Sequence, residues 1–124
     1  MRMRRLIAVG LFAALALACG GAPGRVIGWS DNLPGIEPSA TLGEVYAFSC
    51  PGGGQTGATV WGTDLYTDDS AICPAAVHAG KLSAYGGGTA TLEVMDGRQS
   101  YTGSTRNGVT SLDFGAWPGS IQFR

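Results

Sequence analysis

The sequence has few of the side chains that usually bind metals or carry out catalysis. It contains one histidine, His78, and three cysteines among 124 residues. Zinc sites need several histidine or cysteine ligands. Asp64, Asp68 and Asp69 lack the alternating oxygen ligands and the closing glutamate of an EF-hand loop. We therefore predict no metal and no cofactor, and we assign these aspartates to turns and helix capping.

Positive charge is also scarce once the first residues are set aside. The whole chain has 8 Lys+Arg and 9 Asp+Glu, but Arg2, Arg4 and Arg5 lie in a segment that we predict to be removed. The remainder carries 8 − 3 = 5 basic and 9 acidic residues, a formal charge of −4. Because nucleic-acid affinity depends on neutralising phosphates, we predict that nucleic acid is not a partner.

Long apolar runs are limited to one, at residues 6–17. This run is too short to span a bilayer comfortably, but after a basic start it is typical of a signal peptide. It ends in Leu15-Ala16-Leu17-Ala18-Cys19, which resembles a bacterial lipobox, so we predict a signal peptide at residues 1–18 and a lipid on Cys19. The alternative is ordinary cleavage that leaves Cys19 as a plain terminal residue. The predicted location is the periplasmic face of a membrane or the outer membrane. The alternative location is outside the cell, as a secreted protein.

Residues 19–43 contain scattered glycine and proline and no apolar periodicity. Such a segment cannot bury enough surface to offset the entropy of ordering it. We therefore predict a flexible tether over residues 19–43, in which Val26, Ile27 and Trp29 are loosely held. A single folded domain follows over residues 44–124.

The segment from Ser70 to Gly80 is apolar on nearly every side when it is drawn as a helix. A helix without a polar face must be buried, so we predict a buried central helix over residues 71–79. Pro74 is tolerated only in the first turn, which places the start near Ser70, with a side-chain cap from residues 68–70. Gly80 suits the position just after the helix end.

Most of the remaining sequence alternates between apolar and polar residues, as half-buried strands do. Asp96-Gly97 is a hairpin-turn signal, and we assign Trp61 and Trp117 to the core. The expected fold class is α+β: a single small domain in which short antiparallel strands wrap one central buried helix. The predicted strand segments are residues 45–48, 58–61, 89–94, 99–101, 112–114 and 121–123.

Two cysteines remain once Cys19 is assigned to a lipid. Cys50 and Cys73 form an even pair in an oxidising compartment, and a bond between them closes a loop of 24 residues, counted from 50 to 73. Chain-entropy arguments give such a bond about 3 to 3.5 kcal/mol of stability. The alternative pairs Cys19 with Cys50 and leaves Cys73 free.

Between residues 49 and 124 the chain contains the motifs Val60-Trp61-Gly62-Thr63, Ala75-Ala76-Val77-His78-Ala79-Gly80, Arg106-Asn107-Gly108-Val109 and Ser120-Ile121-Gln122-Phe123. Together these motifs resemble the LCCL domain. The resemblance implies a central helix surrounded by antiparallel strands and a non-enzymatic role in extracellular recognition, with lipopolysaccharide or sulfated glycans among the suggested ligands. It also implies a Cys-Pro-x-x-Cys segment, from which this chain departs because Gly54 stands where the second cysteine would be.

His78 is the natural candidate for a catalytic base, but the sequence gives it no nucleophile. Ser70 is eight residues earlier on the same predicted helix, which corresponds to about 12 Å along the axis. A base needs a nucleophile and an orienting carboxylate within hydrogen-bond reach. We therefore predict that His78 bonds to a neighbouring backbone carbonyl and that the protein is not an enzyme.

The candidate ligand-binding residues are Arg98, Tyr101, Arg106 and Asn107. They combine cations with an amphipathic aromatic ring, which suits anionic glycans through charge-assisted hydrogen bonds and stacking. The alternative for this segment is a solvated loop in which Asn107-Gly108 simply makes a turn.

The predicted function is a non-enzymatic binding module outside the cytoplasm, tethered to a membrane through Cys19. Its expected partner is an envelope or extracellular glycan, lipid or protein, with lipopolysaccharide or an anionic glycan as the first candidates. The alternative is a structural envelope lipoprotein with no dedicated ligand. A hydrolase lacks a credible catalytic set.

Overall fold

The computed structural model describes residues 24–124. The signal peptide predicted at residues 1–18 and the predicted lipid attachment at Cys19 lie outside the described residues. Over the described range, no helix is both long enough and apolar enough to cross a membrane.

Strands dominate the fold, and most of them join one sheet. The strands are β1 (Arg25–Val26), β2 (Val45–Cys50), β3 (Gly62–Thr63), β4 (Leu65–Thr67), β5 (Gly88–Arg98), β6 (Thr105–Arg106), β7 (Val109–Thr110) and β8 (Trp117–Phe123). The helices described are α1 (Leu33–Ile36) and α2 (Ile72–His78). Six strands pair in the order β1-β2-β5-β8-β4-β3, antiparallel except for β1 with β2, while β6 and β7 form a separate antiparallel pair. The predicted α+β class therefore holds only loosely, because the domain is mainly β with two short helices.

The hydrophobic core lies between α2 and the inner face of the sheet. All seven residues of α2 are buried, as the apolar pattern predicts. The strands contribute alternate residues to the same core, including Phe48, Leu92 and Ile121. The helix is thus buried as expected, but its cover is one sheet together with the β6–β7 hairpin and the N-terminal segment.

The two ends of α2 differ in how well the sequence predicts them. Gly80 has φ of +80°, its N–H donates to the Val77 carbonyl, and the Lys81 N–H donates to the Ala76 carbonyl. These are the two bonds of a Schellman motif, so the predicted end is confirmed. At the start, the cap position is Ala71, and no side chain caps the helix. The predicted cap from residues 68–70 is wrong because backbone carbonyls accept instead: Ala71 donates to Thr59 and Ile72 to Asp31.

The strands predicted at residues 58–61, 99–101 and 112–114 are absent. These segments make only isolated bridges, Trp61 with Leu112 and Tyr101 with Phe114. The predicted hairpin turn is also wrong. Asp96-Gly97 is not a turn, because β5 continues to Arg98 and pairs with β8 from Leu92 to Arg98. Gly97 is required for a different reason: a Cβ there would overlap the Trp117 carbonyl oxygen. The glycine permits close approach of two backbones.

The prediction of a flexible tether is wrong for residues 24–43. β1 pairs with β2, and Ile27 and Leu33 are buried at 4% and 2% exposure in the main core. The segment also completes α2, because the Asp31 carbonyl accepts the Ile72 N–H at 2.9 Å. A few buried apolar side chains therefore order a stretch whose glycine and proline content suggests a linker.

The disulfide prediction is confirmed: Cys50 at the end of β2 is bonded to Cys73 in the first turn of α2. This excludes the alternative pairing of Cys50 with Cys19. The position of the missing second cysteine, Gly54, lies against the Trp29 indole, and a Cβ there would overlap the ring. Trp29 is held in place by donating from Nε1 to the Pro51 carbonyl at 2.9 Å. In this chain an aromatic ring therefore covers the site of that cysteine.

Candidate functional site

Tyr101, predicted as a stacking ring, is a buried structural residue. It is 5% exposed, and its hydroxyl accepts from the Arg98 backbone N–H at 3.0 Å and lies 2.7 Å from Ser120 Oγ. Its backbone pairs with Phe114 in an isolated bridge. Tyr101 therefore supports the end of β5 from inside and does not offer its ring to a ligand.

Arg106 and Asn107 lie on the β6–β7 hairpin, and both are engaged with the protein itself. Arg106 Nη1 is 2.7 Å from Asp64 Oδ1. Asn107 donates from Nδ2 to the His78 carbonyl at 3.0 Å. Asn107 and Gly108 both have positive φ, +53° and +79°, as a two-residue type I′ hairpin turn requires. Asn107-Gly108 therefore makes a turn, as the alternative reading of this segment stated.

Arg98 is the predicted site residue that faces open space. It lines an open cleft of about 510 Å³ on the overhanging ends of β5 and β8. Trp117 lies directly opposite it in the β5–β8 register, so the two side chains share one face of the sheet. The lining residues are Asp96, Gly97, Arg98, Gln99, Ala116, Trp117 and Pro118. The structure thus brings Arg98 together with Trp117, which sequence reasoning assigned to the core.

Trp117 belongs to a row of three aromatic rings near this surface. The Phe114 ring centroid lies 5.6 Å from that of Trp117 and 5.8 Å from that of Trp61, both in edge-on geometry. Trp61 and Trp117 are half-buried, while Phe114 is exposed at 39%. Trp117 Nε1 donates to Asp68 Oδ1 at 2.8 Å, which fixes the orientation of the indole.

Arg98 differs from the other arginines of residues 24–124 in its ion pairing. Arg25, Arg106 and Arg124 each lie within 4 Å of a carboxylate, from Glu37, Asp64 and Glu93 respectively. Among residues 24–124, no carboxylate lies that close to Arg98. Its guanidinium is therefore available for an anion from outside the domain.

His78 sits at the centre of a buried polar cluster. Its Nε2 is 3.0 Å from the Ser104 carbonyl, and its Nδ1 is 2.8 Å from the Tyr66 hydroxyl. Because a carbonyl can only accept, Nε2 carries a hydrogen, and the Tyr66 hydroxyl is the hydrogen-bond partner of Nδ1. The predicted bond to a backbone carbonyl is confirmed. Burial also raises the pKa of the Tyr66 hydroxyl.

Two serine hydroxyls approach the same histidine, which sequence reasoning missed. Ser104 Oγ and Ser111 Oγ lie 3.2 and 3.3 Å from Nε2. His78 is 0% exposed, and its other nitrogen faces a tyrosine and not a carboxylate. Ser104 directly precedes β6 and Ser111 directly follows β7. Both are distant from His78 in the sequence, so no local sequence pattern indicates them.

These features define a small, mainly β domain that is closed by one disulfide and carries an open cleft at one end of its sheet. The LCCL domain family matches residues 27–121, so the chain belongs to the LCCL domain family. It is 47% identical over 58 residues to the human cysteine-rich secretory protein LCCL domain-containing 2. It is 40% identical over 84 residues to clotting factor C of Tachypleus tridentatus, and 41% identical over 91 residues to human vitrin.

The alignments cover much of this chain but little of each relative. They span 47%, 66% and 69% of the chain, against 12%, 8% and 13% of the three relatives in the same order. What is shared is therefore one domain. The activities of the whole relatives do not transfer with it.

Proposed function

We propose that this protein is a non-enzymatic recognition module that works outside the cytoplasm and binds an anionic glycan or lipopolysaccharide. The observation that carries the proposal is the cleft in which Arg98, which has no carboxylate partner among residues 24–124, lies opposite an orientated indole, Trp117. Guanidinium groups recognise sulfate, phosphate and carboxylate groups through paired hydrogen bonds. Aromatic side chains add an apolar surface for a sugar ring.

The Cys50–Cys73 bond supports a location in an oxidising compartment, because disulfides persist there and are rare in the cytosol. The name of one relative, a secretory protein, agrees with that location. The size of the cleft also supports ligand binding, because small-molecule sites commonly measure about 300–1,000 Å³.

The buried histidine cluster supports binding in preference to catalysis. His78 is inaccessible, and its ring nitrogens hold the Tyr66 hydroxyl and the Ser104 carbonyl. A serine nucleophile needs a base that a substrate can reach and that a third group orients. Ser104 and Ser111 instead help to fasten the β6–β7 hairpin to α2.

We further propose that a lipid on Cys19 holds the domain close to a membrane. Described structure begins at Gly24, which is 24 − 19 = 5 residues after Cys19. Fully extended chain covers at most about 3.6 Å per residue, so the domain would begin within about 18 Å of its anchor. This is a much shorter tether than the glycine- and proline-rich sequence suggests.

Calorimetric titration of the purified chain tests the recognition role. The probes are a heparin-derived hexasaccharide, lipopolysaccharide and the neutral hexamer of N-acetylglucosamine. We expect binding of at least one acidic probe and none of the neutral hexamer. Absence of binding to both acidic probes at low salt would leave the structural lipoprotein without a ligand as the better description.

Mass spectrometry of the N-terminal peptide tests the anchor separately. Lipidation predicts a diacylglyceryl mass on Cys19 and a protein that enters the detergent phase. The Cys19→Ala variant should be found in the aqueous phase. An unmodified Cys19 in the mature wild-type protein would contradict the tether without affecting the glycan proposal.

A further inference from the structure

We infer that the β5–β8 cleft is a subsite for one acidic sugar unit, in which Arg98 binds the anionic substituent and Trp117 packs against the sugar ring. This inference rests on the proposed function and assigns it to one place. It replaces the set of Arg98, Tyr101, Arg106 and Asn107, because Tyr101 is buried and Arg106 and Asn107 are bonded elsewhere.

The guanidinium of Arg98, the cation of this subsite, forms no ion pair with a carboxylate of the described residues. Arg98 is exposed and is the arginine without a carboxylate within 4 Å in the described part of the chain. Arg106, also exposed, lies 2.7 Å from Asp64. The charge of Arg106 is already offset by Asp64, which weakens its attraction for an incoming anion, whereas no carboxylate of the described residues offsets the charge of Arg98 in this way. The two arginines therefore form a matched pair for testing.

The indole is held before any ligand arrives. Trp117 Nε1 is bonded to Asp68, and the Phe114 ring packs edge-on against it. Asp68 in turn lies against Gly119, where a Cβ would overlap its carboxylate. A ring fixed in this way loses little conformational freedom on binding, which favours affinity.

The two strands that carry the cleft are also held rigidly. The Tyr101 hydroxyl accepts the Arg98 N–H at 3.0 Å, which fixes the end of β5. Gly97 lies so close to the Trp117 carbonyl that no side chain fits between the strands. These contacts hold Arg98 and Trp117 as directly opposed partners in the β5–β8 register.

The remaining polar groups favour a sugar over a bare anion. Asp96 lines the same cleft, and its carboxylate can accept hydrogen bonds from hydroxyl groups, which a sugar has and inorganic sulfate lacks. The Gln99 amide can both donate and accept. Together the lining provides one cation, hydroxyl acceptors and an aromatic surface, which match a saccharide that carries sulfate, phosphate or carboxylate.

The test compares full-length wild-type protein with Arg98→Gln, Arg106→Gln and Trp117→Phe in calorimetric titrations. The probes are the heparin-derived hexasaccharide, lipopolysaccharide and inorganic sulfate at matched ionic strength. We expect Arg98→Gln to raise Kd about tenfold or more and Trp117→Phe to raise it severalfold. Arg106→Gln should stay within twofold of wild type, and sulfate alone should not bind.

Several outcomes are distinguishable. If Arg98→Gln binds only the hexasaccharide more weakly than wild type does, the ligand is a free glycan. If it also binds lipopolysaccharide more weakly, the acidic sugars of lipopolysaccharide are the source. Both results support the subsite. Wild-type binding that Arg98→Gln leaves unchanged, or that Arg106→Gln weakens equally, would overturn the subsite and keep the function. Failure of wild type to bind either acidic probe would instead remove the proposed function itself.

Discussion

At the residue scale, Gly97 shows why a turn predicted from composition is absent from the structure. Asp96-Gly97 has the composition of a hairpin turn, yet Gly97 lies inside a continuous strand. Glycine is needed at this position because two backbones approach closely there, and that approach is set by the pairing of β5 with β8. No local pattern distinguishes the two reasons for a glycine, because the second depends on a strand twenty residues away.

Gly97→Ala should therefore destabilise the domain, because its Cβ would overlap the Trp117 carbonyl oxygen. We expect the free energy of unfolding to fall by about 1–3 kcal/mol, as overpacking does. Urea denaturation measures it. Gly57→Ala is the matched control, because nothing lies within 4 Å of an added Cβ there, and it should change stability by less than about 0.5 kcal/mol. Equal effects of the two substitutions would contradict the close approach.

Tyr66→Phe should also destabilise the fold, because it removes the hydroxyl that bonds to His78 Nδ1 in a fully buried cluster. A buried polar atom left without its hydrogen-bond partner costs about 1–3 kcal/mol. Tyr85→Phe is the control, since Tyr85 is 92% exposed. Thermal or urea unfolding should show a loss for Tyr66→Phe alone.

Tyr66, together with Tyr46, is also expected to make the free energy of unfolding fall at alkaline pH. Burial raises the pKa of Tyr66, and a hydrogen bond to Glu44 raises the pKa of Tyr46 to about 12. The unfolded chain then loses these protons first, so the stabilising contribution is complete below about pH 10 and is lost as the pH rises further. Urea midpoints between pH 8 and pH 11 should fall above pH 10, and Tyr66→Phe should reduce that slope. A flat profile up to pH 11 would contradict the raised pKa values.

At the scale of elements, the long periodic segments could be predicted and the short ones could not. The apolar surround of α2 and the alternation in β2, β5 and β8 follow from side chains that must face one core. The helix start and the strand predicted at residues 58–61 depend on which backbone carbonyls lie nearby, such as those of Asp31 and Thr59. Tertiary contacts decide those details. Likewise, the role of Trp117 follows from register with Arg98, which sequence spacing does not reveal.

The N-terminal segment gives the sharpest test at this scale. Leu33 in α1 is 2% exposed, so Leu33→Ala should lower the free energy of unfolding by about 2–5 kcal/mol. Leu42→Ala, in the same segment but 64% exposed, should leave it nearly unchanged. If Leu33→Ala were as mild as Leu42→Ala, residues 24–43 would be a tether after all.

The disulfide links two elements that the sheet alone does not join. Reduction of Cys50–Cys73, or the double substitution Cys50→Ser with Cys73→Ser, should lower stability by about 3 kcal/mol, because the open loop gains freedom in the unfolded chain. Unfolding with and without reductant measures the difference. The double variant should be insensitive to reductant, and an equally stable reduced wild type would contradict the assignment.

At the scale of the whole molecule, the charge balance shapes how an acidic ligand must be recognised. Residues 24–124 contain 5 basic and 9 acidic residues, so the domain as a whole repels anions. Three of the four arginines in this range are neutralised by carboxylates. In this range Arg98 and Lys81 have no carboxylate within 4 Å, and of the two only Arg98 lines the cleft. Affinity for an acidic glycan at the cleft then depends on a local contact at Arg98 and not on a general positive field.

The most direct measurement is an NMR titration that follows the indole Nε1–H resonances of isotope-labelled protein during addition of the heparin-derived hexasaccharide. The account predicts that the Trp117 resonance shifts progressively to saturation while the Trp29 resonance, whose indole is bonded to Pro51 near the Cys50 loop, does not move. A titration in which Trp29 shifts and Trp117 remains constant would contradict it.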